Sequence, residues 1–195
     1  MGNSMMTAAL ALAVVAALGV DAAAQGRGGR GGGGRGGRGG GVIPPLLMKT
    51  DAFEDGGIIP ERYAGRGGNI RPGFTFSNIP DATVSFAIIF HDLDVAATGT
   101  DDVLHWLAWN IPAKAGGIPE GTPPEGTVSG TAGVGRGNYF GPGAPAGPRY
   151  HHYVFELYAL SAMLNLPAEA TRAQLLDAMK DIIVGKAAYV GRFRQ

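Results

Sequence analysis

The sequence predicts a mainly β fold, a sheet of several strands with helical structure at its periphery. Three observations carry this. The run His151–Leu160 (HHYVFELYAL) alternates with period two: His151, Tyr153, Phe155, Leu157 and Ala159 share one face, and His152, Val154, Glu156, Tyr158 and Leu160 share the other. Val84–Phe90 is almost continuously apolar, the pattern of a central strand buried on both faces. Helical periodicity comes late, after the strand-like runs, an order that favours strands with peripheral helices over alternating βαβ units.

The chain of 195 residues is long enough for one domain with a substantial core. Thr7–Val20 is apolar but too short to span a bilayer, and it ends in Ala22-Ala23-Ala24 before Gln25. Residues 1–24 therefore read as a secretory signal peptide, cleaved after Ala24 and directing the protein to the periplasm or outside the cell. An uncleaved N-terminal anchor is the alternative, because no Lys or Arg precedes the apolar run. With no cysteine in the chain, a lipid-modified cysteine, a disulfide and a thiolate nucleophile are excluded.

Residues 25–41 (QGRGGRGGGGRGGRGGG) bury nothing and cannot offset the entropy of their own ordering. They read as a flexible linker of roughly 20–25 Å root-mean-square span, preceding a domain over 42–195. The Arg-Gly-Gly spacing resembles RNA-binding segments, and attraction to anionic lipid is another option, but a plain tether suits an exported protein best. The overall net charge of zero hides an asymmetry: from Val42 onward there are 12 basic and 15 acidic residues, a balance of −3. A mildly acidic domain makes nucleic acid a poor partner.

Within the domain, Leu46–Phe53 is expected to open the sheet, and Glu54-Asp55-Gly56-Gly57 is turn chemistry. Phe74-Thr75-Phe76 alternates as a short strand, and Asn78-Ile79-Pro80-Asp81 turns into Val84–Phe90. In the next strand, His105–Ile111, strict alternation would put His105, Leu107, Trp109 and Ile111 on one face, and Trp106, Ala108 and Asn110 on the other. Residues 113–137 form a long Gly/Pro/Glu-rich connection with little periodic signal. Near the end, Thr171 and Gln174 form a capping box for a helix whose apolar face is Leu175, Leu176, Met179, Ile182 and Ile183, stopped by Gly185. Ala187–Phe193 adds a last strand or a helical tail.

All four histidines fall in two segments, Ser85–Pro112 and Asn138–Leu160, together with Asp92, Asp94 and Tyr153. Two histidines and a carboxylate suit a metal, but the spacing matches no compact ligand motif. A Ser or Thr nucleophile beside a His–Asp pair would hydrolyse esters, but no G-x-S-x-G elbow is present. An anion pocket is the third reading: imidazoles, a phenol and the N–H groups of a glycine loop are all donors, with Asp92 or Asp94 orienting an imidazole. Taken singly, each residue has an ordinary structural role as packing or turn former, and only convergence makes a site.

The segments IPERYAGRGGNIRPGFTFSNIP, FAIIFHDLD, HWLAWNIPA with IPEG, NYFGPGAP and HHYVFELYAL resemble the phosphatidylethanolamine-binding protein family. The nearest branch is the bacterial and archaeal one of YbhB/YbcL, Raf kinase inhibitor-like proteins. The resemblance runs from about Leu47 to Phe193. It implies a large central antiparallel sheet flanked by a smaller sheet and C-terminal helices, with a small pocket for phosphate-like groups. The family's acidic D-P-D motif falls on Asp92-Leu93-Asp94, its pocket histidine on His105 and its glycine loop on Gly141-Pro142-Gly143-Ala144-Pro145. Its H-R-Y segment falls on His151-His152-Tyr153. The ligand-binding set implied is Asp92, Asp94, His105, Gly141, Gly143, Pro145, His151 and Tyr153.

This sequence departs from the family at four places. Leu93 replaces the D-P-D proline and none follows Asp94; Val103 stands where a tryptophan is frequent; Gly65-Arg66-Gly67 replaces a C-D-G turn; and Asp181-Ile182 replaces a G-H pair. His91 has no assigned role in the family and is expected behind the pocket. The resemblance implies a binding protein for a small anion such as phosphate or a phosphomonoester, with a regulatory or inhibitory role. An acid–base or phosphoester enzyme pairing Asp94 with His105 or His151 is one alternative, and a protein kinase or peptidase inhibitor another. No cofactor and no metal are expected, and the protein is expected to be a monomer or homodimer.

Overall fold

The structure, a computed structural model, describes residues 45–133 and 139–195; the signal peptide and linker expected over 1–41 lie outside the described residues. In chain order the strands are β1 (Leu47–Lys49), β2 (Gly57–Ile58), β3 (Phe74–Ser77), β4 (Ser85–Asp92), β5 (Val103–Pro112), β6 (Gly117–Ile118), β7 (Val128–Ser129), β8 (His151–Leu160) and β9 (Ile183–Phe193). Helix α1 (Arg172–Met179) lies between β8 and β9. Six strands form the large sheet in the order β2-β9-β8-β4-β5-β7, and β1-β3-β6 form a small second sheet. Neighbours in the large sheet are antiparallel except at its edge, where the two residues of β2 run parallel to β9.

Strand β4 is central and buried along its whole length, as its continuous apolar run predicts. Its alternate side chains feed two cores. Phe86, Ile88 and Phe90 point to one side with Phe155, Leu157 and Ala159 of β8, against Met48, Phe74, Phe76 and Ile118 of the small sheet. Ala87 and Ile89 point to the other with Tyr158 and Leu160, where Leu175 and Met179 of α1 cover them. Complete burial of a Leu or Met contributes about 1.5–3 kcal/mol, so these two side chains are the chief apolar anchor of the eight-residue helix.

Several expectations are corrected. Leu46–Phe53 opens the small sheet, not the large one: β1 pairs with β3 from Leu47↔Ser77 to Lys49↔Thr75. The capping box at Thr171 and Gln174 forms, but the helix ends at Met179, and Leu176 is exposed. Ile182 lies in the turn that follows, and Ile183 begins β9 opposite Leu160; β-branched residues gain more from the ladder than from another helical turn. Gly185 is therefore a strand residue facing Ala159, where a Cβ would press on Pro80.

Strict alternation fails twice in β5. Phe90 pairs with Trp106, whereas His91 pairs with Leu104, so His105 is an extra residue and the strand bulges. His105 and Trp106 then lie on the same side as Phe90, while Leu107 and Trp109 join the core under α1. A second bulge between Phe86 and Ile88 is built on Asn110, whose φ of 58° is left-handed, and it returns Ile111 to the side of Trp106 and Ala108. The Asn110 side chain secures that conformation by donating to Leu164 O at 2.9 Å and accepting from Leu164 N at 2.8 Å.

Candidate functional site

Three strand ends meet on the small-sheet side of the large sheet. Asp92 closes β4, His151 and Tyr153 open β8, and the first bulge of β5 presents His105. Register places Asp92 directly opposite Tyr153, with His151 diagonally across. The His151 Nδ1–H is shared by the two Asp92 oxygens, at 2.8 Å and 3.1 Å. This fixes the ring and leaves Nε2 as its other hydrogen-bonding edge. Asp92 is buried, and its Oδ1 also accepts the Asp94 N–H at 2.9 Å.

His105 is buried between aromatic rings, with Phe140 stacked at 5.4 Å and Tyr153 edge-on at 5.3 Å. Its Nδ1 lies 2.7 Å from the Phe140 carbonyl oxygen, which can only accept, so Nδ1 carries the proton. Burial, and after it the charge and hydrogen bonding of Asp92, pushes the Tyr153 hydroxyl well above the ordinary phenol range. Tyr153 thus stays a neutral donor toward Asp92, and its oxygen accepts the Gly143 N–H at 3.2 Å.

The glycine loop is pinned from behind. The Gly141 N–H donates to Asn69 Oδ1 at 2.8 Å, and the Gly65 N–H donates to Pro142 O at 2.8 Å. A Cβ on Gly141 would sit 2.1 Å from Tyr63 O, so no larger residue fits there. Gly143 is exposed, and a Cβ there would meet only the edge of the Phe140 ring at 3.3 Å.

Of the residues expected in the pocket, Asp92, His105, Gly143, His151 and Tyr153 converge through these contacts. Gly141 shapes the loop from its inner side, and Pro145 is exposed beyond it. Asp94 corrects an expectation. Its Oδ2 accepts the His152 N–H at 2.6 Å and lies 2.9 Å from His152 Nδ1, so its hydrogen bonds go to the histidine on the opposite strand face, and only its charge acts on His151. Burial alone would raise its carboxyl pKa, but these His152 hydrogen bonds outweigh it and hold the group below the ordinary range. They also show how the loop keeps its shape without a proline: the Asp92–Asp94 turn and a Leu93 N–H to His152 O bond of 3.1 Å fasten it.

His91 is not behind the pocket. It points to the α1 side of the sheet, where Nδ1 bonds Asp102 at 2.6 Å, Nε2 faces Glu156 at 3.7 Å, and Arg172 of α1 grips the same Asp102 at 2.6 Å. Strand parity alone separates it from Asp92, its neighbour in sequence. The Phe140 carbonyl and Asn69 escaped the sequence reading. Both lie in the quoted motifs, but a backbone acceptor and a loop-bracing amide have no residue-type signature. A cavity of about 430 Å³ beside the small sheet, lined by Lys49, Tyr63, Phe74, Ile118 and Glu120, contains none of these groups. Convergent hydrogen-bonding side chains, not open volume, mark the histidine site.

Comparison with known proteins bears on the family and the fold. Residues 49–194 match the family model described as phosphatidylethanolamine-binding protein. A UPF0098 protein of Methanothermobacter thermautotrophicus is 36% identical over 153 residues, covering 76% of this chain and 98% of the relative. A Mycobacterium tuberculosis protein named as lipoprotein LppC is 36% identical over 149 residues, covering 76% of this chain and 72% of the relative. Among solved structures, a homologue of this family from Chlamydia trachomatis superposes with a TM-score of 0.71 at 29% identity, covering 77% of this chain and 98% of its own. Escherichia coli YbcL, described as a member of the mammalian family, gives 0.70 at 25% identity, covering 78% and 99%.

Proposed function

The chain belongs to the phosphatidylethanolamine-binding protein family, in its bacterial and archaeal branch, and on that basis we propose that it is an exported protein binding a small phosphate or phosphoester group between His105, His151 and Tyr153. The observation that carries the proposal is the His151–Asp92 pair. The carboxylate 2.8 Å from Nδ1 fixes the ring, and a protonated His151 then presents Nε2–H as a charged donor to an oxyanion. His105 contacts the same Tyr153 ring and supplies the second imidazole. An arriving anion would compete with Tyr153 for the Gly143 N–H, so the loop offers its donor by exchanging a partner already present. Export is supported by the apolar segment Thr7–Val20 and by the name of the mycobacterial relative.

Binding without turnover is the favoured form. The serine hydroxyls with assigned bonds are engaged with main chain, Ser85 with Ala162 O and Ser161 with Ile182 O, rather than with an imidazole. At this site the carboxylate–imidazole pair open to acid–base chemistry is Asp92–His151, since Asp94 holds His152 and Asp102 holds His91 on the other side of the sheet. Calorimetric titration with phosphoethanolamine, run beside a phosphoester turnover assay, tests the reading. Saturable binding with no product supports it; turnover abolished in Asp92→Ala replaces it with the enzymatic one.

A further inference from the structure

Arg71 is a buried cation with too few partners. Its exposure is 4%, and it lies between β3 and the loop that carries Pro119. One guanidinium nitrogen, Nη2, donates to Pro119 O at 2.8 Å, and the group stacks over Trp106 at 4.8 Å. Its Nε–H is buried with no hydrogen-bond partner. Among the described residues no carboxylate pairs with it, and the neighbouring group that bears on its charge is the Tyr139 hydroxyl. Burial pushes the guanidinium down to about 10, against the opposing influence of Tyr139, so the site lacks the negative charge that a buried Arg ordinarily acquires.

Tyr139 has the matching deficiency. Its hydroxyl is also buried and unpartnered, although its ring is packed on two sides: stacked on Phe90 at 5.9 Å and edge-on to Trp106 at 6.0 Å. Trp106 therefore carries the guanidinium and the phenol together, and it reaches that position because the first β5 bulge turns it to the same side as His105. Burial, ahead of the neighbouring charges, pushes the Tyr139 hydroxyl above the ordinary phenol range, which keeps it protonated and a donor.

We propose that Arg71 and Tyr139 form a second anion position, separate from the histidine site, that takes a small carboxylate. Two unpaired donors, one charged and one neutral, match the two oxygens of a carboxylate; a phosphate would bring more oxygens than these donors can satisfy. Both donor atoms are out of contact with solvent, so an occupant reaches them only by displacing the side chains around them, which limits it to the size of formate or acetate. The site does not depend on phosphate binding at His151. It places one aromatic pair, Phe90 and Trp106, between two recognition points on the same sheet face.

Formate titration of the folded protein, followed by the indole and tyrosine NMR signals, tests the proposal. Saturable shifts of the Trp106 and Tyr139 signals are expected. Arg71→Met should weaken them at least tenfold, Tyr139→Phe several-fold, and His151→Ala should leave them within twofold. Tyr139→Phe keeps the ring packing and removes only the hydroxyl, so it remains informative if Arg71→Met does not fold. Absence of saturable shifts would mean that the two donors hold water, and the proposal fails. It also fails if Tyr139→Phe binds formate as the wild type does, or if His151→Ala abolishes formate binding, since the anion would then be in the histidine site. Phosphate titration of Tyr139→Phe reports separately on the histidine site and should be unchanged.

Discussion

His151 and His152 are adjacent in β8 and each leans on a carboxylate of the same short loop, yet they face opposite sides of the sheet: His151 bonds Asp92 at 2.8 Å and His152 bonds Asp94 at 2.9 Å. Two chemically similar pairs thus have different surroundings. The first is largely buried beside Tyr153 and His105, and the second is open to solvent.

His151→Ala should weaken phosphate or phosphoethanolamine binding about tenfold to a hundredfold, because a charge-assisted hydrogen bond contributes about 1.5–3 kcal/mol. His152→Ala should change it little. Calorimetry on both variants checks this, and equal losses would mean that the wrong face has been identified as the site.

Asp92→Asn should weaken anion binding, since the amide can turn its NH2 toward Nδ1 and no longer fixes the His151 ring as the carboxylate does. In the wild-type protein, affinity should rise as pH falls through the imidazole range, because protonation adds positive charge beside the anion. Asp94→Asn removes the hydrogen-bond partner of His152 and leaves the Asp92–His151 bond in place, so its loss of affinity should be smaller than that of Asp92→Asn. Titrations across that pH range decide; affinity that rises with pH would exclude histidine as the anion's partner.

Gly141→Ala should distort the glycine loop and lower both stability and affinity, because its Cβ would fall 2.1 Å from a backbone oxygen. Gly143→Ala meets only a ring edge and should fold normally. Melting temperatures and phosphate titration of the pair separate the two cases. A normally stable Gly141→Ala would contradict the loop geometry.

Asn110→Ala should cost about 2–4 kcal/mol, the sum of a left-handed backbone without an Asn side chain and two lost hydrogen bonds to Leu164. Asn110→Gly loses the same bonds but accepts the backbone conformation, so it should cost less. Urea unfolding of both variants is the measurement, and equal costs would show that φ carries no strain.

Burial pushes the Asp102 carboxyl up, but Arg172 and His91 outweigh it and hold the group below the ordinary range. A carboxyl depressed in the folded state contributes stability above its unfolded pKa of about 4, and loses it as pH falls through the lower folded value. Arg172→Met removes the strongest of these opposing contacts, so acid unfolding should begin at higher pH than in the wild type. Melting curves against pH test this; a uniform drop in melting temperature at every pH would show that Arg172 acts through packing alone.

The sequence by itself determined the strands β4 and β8 and the faces they present. The period of HHYVFELYAL separates Tyr153 and Phe155 from Tyr158 and Leu160, and the unbroken apolar run of β4 marks a strand covered on both sides. Thr171 and Gln174 announced the start of α1, since capping is local chemistry between residues three apart. Tertiary structure decided what depends on a partner strand. His105 reaches the site only because β5 carries one more residue than β4 needs opposite Phe90, a mismatch visible only once the two strands are paired. The choice of carboxylate was settled in the same way: Asp92 and Asp94 read alike in sequence, and cross-strand register gives one to His151 and the other to His152. The α1 terminus fell short of its periodic pattern because Ile183 gains a ladder partner in Leu160, an interaction between residues distant in the chain that helical spacing cannot register.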